Sequence, residues 1–286
     1  MTIHTQIASQ KTVRVGTRDI FVTVQGEGPA LVMLHGGGPG ASGLSNYSRN
    51  IDALARDFTV IVPDMPGYGR STKGVNKQDS FGDLAGAIRG MLDEMGIDRT
   101  HFAGNSLGGA AALRLALEWP DRVNRIVLMG PGGIGTTRAL PTKGLNRLLD
   151  YYKGDGPTRA KLEDFIRNYL VFDSQSVDVA VIDKRFQDSI DPEVIANPPL
   201  TRPPGLVAAW RMDLTRDARL SKLDRPVLVL WGADDKVNRP SGAQWLQTHL
   251  PNCDSYIFAR TGHWVQWERA DEFNAVTAAF LKTGAK

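Results

Sequence analysis

A chain of 286 residues, 42% hydrophobic and 23% charged, has the balance of a globular protein with a sizeable core, and its length suits one α/β domain carrying an insertion. Its 34 basic and 31 acidic side chains leave a net charge of +3 with no basic patch interleaved with aromatics, which argues against a nucleic acid partner. No apolar run approaches the roughly 20 residues that span a bilayer, so no membrane partner is expected. Cys253 is the only cysteine, which rules out an internal disulfide and fits a reducing compartment. Met1 to Val13 lacks the apolar core of a signal peptide, so the expected start is near Met1 and the expected compartment the cytoplasm.

Alternation over Lys11 to Gln25, broken at Gly16-Thr17-Arg18, predicts an antiparallel hairpin at a sheet edge. The continuous apolar run Ala30 to Leu34 predicts a strand buried on both faces, ending in His35-Gly36-Gly37-Gly38-Pro39-Gly40. Small residues there let the backbone approach a ligand and aim N–H groups at it; a phosphate loop would need a Gly-Lys-Ser/Thr ending that is missing. Ser45 to Arg56 reads as a helix, Phe58 to Val62 as a buried strand, and Phe81 to Met95 as an amphipathic helix.

Thr100 to Ala103 is β-prone, Gly104-Asn105-Ser106-Leu107-Gly108-Gly109 follows, and Ala110 to Glu118 reads as a helix. Strand, Gly-x-Ser-x-Gly and helix in that order make a nucleophile elbow, with Ser106 as the candidate nucleophile. Val123 to Met129 predicts another buried strand. From 136 to 212 the strands stop and helical spacing takes over, as at Leu162, Phe165, Ile166, Tyr169 and Leu170, which predicts an inserted helical lid. The prolines of Asn197 to Gly205 demand an extended loop. Strands resume at Pro226 to Trp231 and Ser255 to Phe258, and a closing helix carries Phe273, Val276, Phe280 and Leu281. The alternation predicts an α/β fold: a mostly parallel central sheet flanked by helices, its core at residues 1–135 and 213–286, its lid at 136–212.

A serine hydroxyl attacks only when a base takes its proton, and the base needs a carboxylate to hold its tautomer. Asp235 follows the strand ending at Trp231, and His263 follows the last strand. The order Ser106, Asp235, His263 is that of α/β-hydrolase triads. Asp235 is preferred over its neighbour Asp234 as the carboxylate, although two adjacent aspartates can also serve only to bind turn backbone. The oxyanion donors expected are the N–H of Leu107 and one from the Gly36-Gly37 loop, each worth about 3 kcal/mol of barrier.

Five segments, Leu34 to Ala41, Gly104 to Gly109, Leu128 to Gly133, Trp231 to Asp235 and Gly262-His263-Trp264-Val265-Gln266-Trp267-Glu268, together resemble the meta-cleavage product hydrolases, carbon–carbon bond hydrolases of bacterial aromatic and steroid ring degradation. The resemblance covers nearly the whole chain and implies the α/β-hydrolase fold. It implies hydrolysis of 2-hydroxy-6-oxohexa-2,4-dienoates to 2-hydroxypenta-2,4-dienoate and a carboxylic acid, without metal or organic cofactor. The implied course is ketonisation of the dienol, attack by Ser106, and release of an acyl-enzyme by water. The resemblance also implies that Asn46 and Asn105 contact the dienoate oxygens, that Trp264 stands beside the catalytic histidine and that Arg185 pairs with the substrate carboxylate; Gly37, Gly38 and Leu107 are further candidate substrate-binding residues. A homodimer or tetramer is implied as well. Two features depart from the family: the Pro198-Pro199 and Pro203-Pro204 loop, and Gln175 where a serine is found in some members; both are expected to bear on the pocket for the C6 substituent. Competing expectations are a carboxylesterase or lactonase with the same triad, and a non-catalytic ligand-binding protein of the same fold.

Overall fold

The apolar runs become strands of one sheet. This computed structural model describes residues 9–283; the expectation for the start of the chain rests partly on residues 1–8, outside the described residues. The hairpin is β1 (Ser9–Val15) and β2 (Arg18–Gln25), turning through Gly16 and Thr17. Then come β3 (Ala30–Leu34), the short helices α1 (Gly43–Tyr47) and α2 (Ile51–Leu54), and β4 (Thr59–Pro63). The single helix expected over Ser45 to Arg56 is therefore two. Ser42 starts α1 with a capping box, and the chain breaks at Ser48 to Asn50, where Asn50 turns its amide to Gln266 O and Asn274 Oδ1.

Helix α3 (Ser80–Glu94), capped by the Asp79 side chain, leads to β5 (Thr100–Asn105), α4 (Leu107–Glu118) and β6 (Val123–Met129). Between β6 and β7 (Val227–Gly232) the described residues hold only helices and loops: α5 (Lys143–Leu149), α6 (Arg159–Phe165), α7 (Val179–Ser189), α8 (Pro192–Ala196) and α9 (Gly205–Arg211), with short 3-10 turns. Residues 197–204 are non-helical, as their prolines require. The chain closes with α10 (Ser241–His249), β8 (Cys253–Phe258), α11 (Val265–Glu268) and α12 (Ala270–Lys282).

The strand order is β1-β2-β4-β3-β5-β6-β7-β8; only the β1–β2 and β2–β4 pairings are antiparallel. Each strand from β3 to β7 is buried on both faces because helices cover both. Val32, Leu34, Phe102 and Leu128 pack toward α3 and α4 on one side. On the other, Met33, Val60, Ala103 and Val127 pack with Phe273 and Leu281 of α12. The insertion has its own cluster, Leu162, Phe165, Ile166, Leu170 and Ile182, which reaches the core through Val237, Trp264 and Trp267. No helix among the described residues is long and apolar enough to cross a membrane.

Candidate active site

The parallel strands place their carboxyl ends along one edge, where ligands bind in such sheets. Strand β5 ends at Asn105, and Ser106 turns into α4 with φ 51° and ψ −111°, a left-handed conformation costly for a serine, on the order of 1–3 kcal/mol. The strain is held by neighbours. Ser106 N–H donates to Met129 O at 2.9 Å, and Ser106 O accepts from Gly132 N–H at 2.9 Å. The side chain is thereby lifted above the sheet.

His263 Nδ1 lies 2.7 Å from Asp235 Oδ2. Trp231 Nε1 donates to the same oxygen at 2.9 Å, while Oδ1 accepts from the N–H groups of Val237 (2.8 Å) and Asn238 (2.9 Å). Four donors converge on one buried carboxylate, which fixes its rotamer and keeps it an acceptor. Its neighbour Asp234 is exposed. With Nδ1 donating to Asp235, His263 Nε2 is the ring's acceptor; it is buried and has no hydrogen-bond partner among the described residues. Ser106 and His263 border one cavity, and no hydrogen bond yet joins them. Such bonds often tighten only with substrate bound.

The loop after β3 is fixed through its carbonyls. His35 Nδ1 donates to Gly36 O at 2.8 Å while its Nε2 accepts Met65 N–H at 2.9 Å, so the buried ring is neutral, and burial holds its pKa down. Tyr68 Oη donates to Gly37 O at 3.1 Å, Ala41 N–H to Gly38 O at 3.0 Å, and Arg185 Nε to Pro39 O at 3.1 Å. Gly36 N–H goes to Asn46 Oδ1 at 3.4 Å, so of the two glycines expected to supply an oxyanion donor, Gly37 has the uncommitted N–H. Leu107, first residue of α4, has an N–H with no acceptor inside the helix.

Helices between β6 and β7 form part of the wall of the cavity. Around it stand Gly36, Gly37, Gly38, Asn46, Asn105, Ser106, Arg185, His263 and Trp264, with Leu148, Phe165 and Leu170 from the insertion. Arg185 on α7 is 2% exposed, and no ion pair joins it to a carboxylate among the described residues. The acid acting on it, Asp188, is bonded to Lys184 instead. Its other neighbours are the phenols of Tyr68, Tyr151 and Tyr152 and, 5.3 Å away, the Trp264 ring. Burial draws its pKa down to about 10, far enough above neutrality to leave it a cation. It can approach the loop because residue 38 is glycine: a Cβ there would stand 2.5 Å from Arg185 Nη2.

Asn46 and Asn105 are both at the cavity but partly committed. Asn105 spends its amide hydrogens on Met129 O (3.1 Å) and His263 O (3.3 Å), leaving Oδ1 as its free group. Asn46 lies inside α1 rather than capping it, with Nδ2 on Ser42 O at 3.2 Å. Trp264 stacks on Trp267 at 4.4 Å, and its buried Nε1 has no partner among the described residues. Leu107 is not among the residues that border the cavity; its side chain packs toward Gly37. Gln175 is exposed and bonded to Ser174 Oγ, and it is not among the residues that border the cavity, contrary to its expected bearing on the C6 pocket. Pro199 and Leu200 of the Pro-Pro loop do reach a cavity, one that adjoins Gly37 and Tyr68. Sequence reasoning missed His35, Tyr68, Leu148, Phe165 and Leu170. Only His35 carried a signal, its place at a strand end.

The α/β hydrolase fold family matches residues 29–270. A 2-hydroxy-6-oxo-6-phenylhexa-2,4-dienoate hydrolase of Burkholderia cepacia is 38% identical over 269 residues, 93% of this chain and 92% of that protein. This chain belongs to the meta-cleavage product hydrolases, within the α/β hydrolases. Another relative of the hydrolase, a 2-hydroxy-6-oxononadienedioate/2-hydroxy-6-oxononatrienedioate hydrolase of Comamonas testosteroni, is 36% identical over 93% of this chain and 92% of its own. Among solved structures, the meta-cleavage product hydrolase of Pseudomonas fluorescens IP01 superposes with a TM-score of 0.84 at 29% identity, over 94% of this chain and 96% of that one.

Proposed function

We propose that the hydrolase cleaves the C5–C6 bond of 2-hydroxy-6-oxohexa-2,4-dienoates from aromatic ring cleavage. The observation that carries this reading is Arg185: a buried guanidinium without an acid partner among the described residues, bordering the same cavity as Ser106 and His263. An unpaired buried cation costs several kcal/mol, so its retention argues for an anion that arrives with the substrate. A planar guanidinium fork suits a carboxylate beside an enol oxygen, and Asn105 Oδ1, Asn46 and Trp264 Nε1 are polar groups near enough to meet that end.

With the carboxylate at Arg185, C6 falls toward Ser106. Ketonisation moves the 2-hydroxyl proton to C5, with His263 and Ser106 as the relay, so that C5 can leave as part of a delocalised dienolate rather than a bare carbanion. Ser106 Oγ then bonds to C6 as His263 Nε2 takes its proton, and the N–H groups of Gly37 and Leu107 receive the oxyanion. The C5–C6 bond breaks, its electrons run to the C2 oxygen, and protonation gives 2-hydroxypenta-2,4-dienoate. Water, deprotonated by His263, frees the acid from the seryl ester.

In this reading residues 136–212 are the lid over a core of 1–135 and 213–286, and the enzyme works in the cytoplasm as a dimer or tetramer, a state that size-exclusion chromatography measures. The test of function is the bleaching of yellow dienoates with alkyl, phenyl and steroid-like C6 groups against hydrolysis of a p-nitrophenyl ester. Preference for the ester would make the protein a carboxylesterase or lactonase and refute the proposal.

A further inference from the structure

The turn that presents His263 belongs to no strand or helix, and its N–H groups are anchored elsewhere. Gly262 N–H donates to Glu268 Oε1 at 2.8 Å. His263 N–H donates to Leu170 O at 2.8 Å, and Trp264 N–H to the same oxygen at 3.2 Å. The second carboxylate oxygen, Glu268 Oε2, accepts Phe172 N–H at 2.7 Å. One carboxylate thus ties the helical insertion to the histidine turn, and one insertion carbonyl grips the turn beside it. Trp267 Nε1 adds a bond to Ser176 O at 3.0 Å.

Local sequence makes this contact possible. Helix α6 runs into a π turn, Ile166–Leu170, closed by Val171 N–H on Ile166 O at 3.2 Å. Leu170 O is thereby a helix-end carbonyl with no partner inside the helix, available to a donor from outside. At position 262 a Cβ would stand 2.7 Å from Val171 C and 2.8 Å from Leu170 O, so only glycine lets the two backbones meet. Glu268 ends α11, one turn beyond His263, and its half-buried carboxylate reaches back over that turn.

We propose that Glu268 is a positioning residue for the base: by clasping the insertion to the histidine turn it aims His263 Nε2 at Ser106. The inference rests on the reading of His263 as the base. Asp235 holds the imidazole through Nδ1 alone, one bond about which the ring can tilt; the second constraint is the place of its backbone, held on the sheet side by Asn105 Nδ2 on His263 O and on the insertion side by Leu170 O and Glu268. Arg185, which is assigned the substrate carboxylate, makes no bond to Glu268; Trp264 is the substrate-side residue that shares the clasped turn.

Glu268→Ala in the full chain is expected to lower kcat on a yellow dienoate by ~10²-fold, the scale of a 1 Å misplacement, with KM changed by less than about twofold. The low-field proton signal of the His263 Nδ1–H, read by NMR without substrate, is expected to shift or broaden. Glu268→Gln, which keeps one acceptor oxygen and the shape of the side chain, is expected to recover part of both. An unchanged kcat overturns the proposal, and so does a fall in kcat and thermal stability together while the NMR signal stays in place. If the alanine variant does not fold, the glutamine variant carries the same two readouts, and the same results on it support or overturn the proposal. Because the signal needs no substrate, a wild-type enzyme inert toward dienoates would remove the reaction assigned above and leave Glu268 to be decided by NMR.

Discussion

The two halves of the site are built differently. On the sheet side, the groups that hold the machinery in place are satisfied before any ligand arrives, and the atoms left open include His263 Nε2 and the Gly37 N–H: Asp235 has four donors, His35 uses both ring nitrogens, and four successive carbonyls of the loop from Gly36 to Pro39 accept hydrogen bonds. On the insertion side the central group is left short, since Arg185 is buried on α7 with one hydrogen bond to a carbonyl and no acid partner among the described residues. A half whose open atoms are those of acyl transfer can run the same chemistry on many carbonyl substrates; a half with an unmatched charge selects the substrate that matches it.

Substitutions can break that division of labour. Ser106→Ala is expected to lower kcat by ~10⁴-fold or more on a dienoate and on a p-nitrophenyl ester alike, because both need the same nucleophile. Initial rates on the two substrates check it. Arg185→Gln is expected to cost ~10²-fold in kcat/KM on the dienoate, the scale of a buried charge pair, and to leave the neutral ester within about threefold. Equal losses on the two would end the claim that the insertion half reads the carboxylate. The same variant sharpens the comparison in a second way, since removing an uncompensated buried cation should leave the ligand-free melting temperature unchanged or raised.

Trp264→Phe keeps an aromatic ring against Trp267 and deletes only Nε1–H. If that N–H bonds substrate, kcat/KM on the dienoate falls about fivefold, the worth of one neutral hydrogen bond, and the ester is unaffected; matched Michaelis curves decide it. The smallest effect lies away from the site. His101 on β5 is buried beside Arg125, and burial first, then that charge, lowers its pKa from 6.5 to about 4. Between those values the unfolded chain binds a proton that the folded one refuses, so stability falls as the pH drops from about 6.5 toward 4. His101→Asn should flatten this slope in urea midpoints measured across the range, partly, because buried His35 acts with the same sign.

Legibility along the chain followed the same divide. Ser106, Asp235 and His263 could be singled out as candidates because each follows a strand end, where a local pattern of apolar run followed by turn marks the position; the aim of His263 depends on distant contacts. Helix boundaries inside the core were harder. The break between α1 and α2 depends on Asn50 finding Gln266 and Asn274, more than two hundred residues away. Within the insertion, helical spacing showed which residues form its apolar cluster, yet not that Leu148, Phe165 and Leu170 also border the cavity, nor that Gln175 faces solvent.

Taken alone, the amino-acid order determined the parallel sheet, the elbow at residue 106 and the chemical types that come to its edge, since period and turn chemistry act over a few neighbours at a time. Only tertiary structure decided which N–H of the glycine loop stays uncommitted, that Arg185 lies buried without an acid, and that a glutamate after the histidine clasps the insertion. Those are facts about donors and acceptors from distant segments. No spacing along one segment carries them, because burial and partnership are settled only when the segments meet.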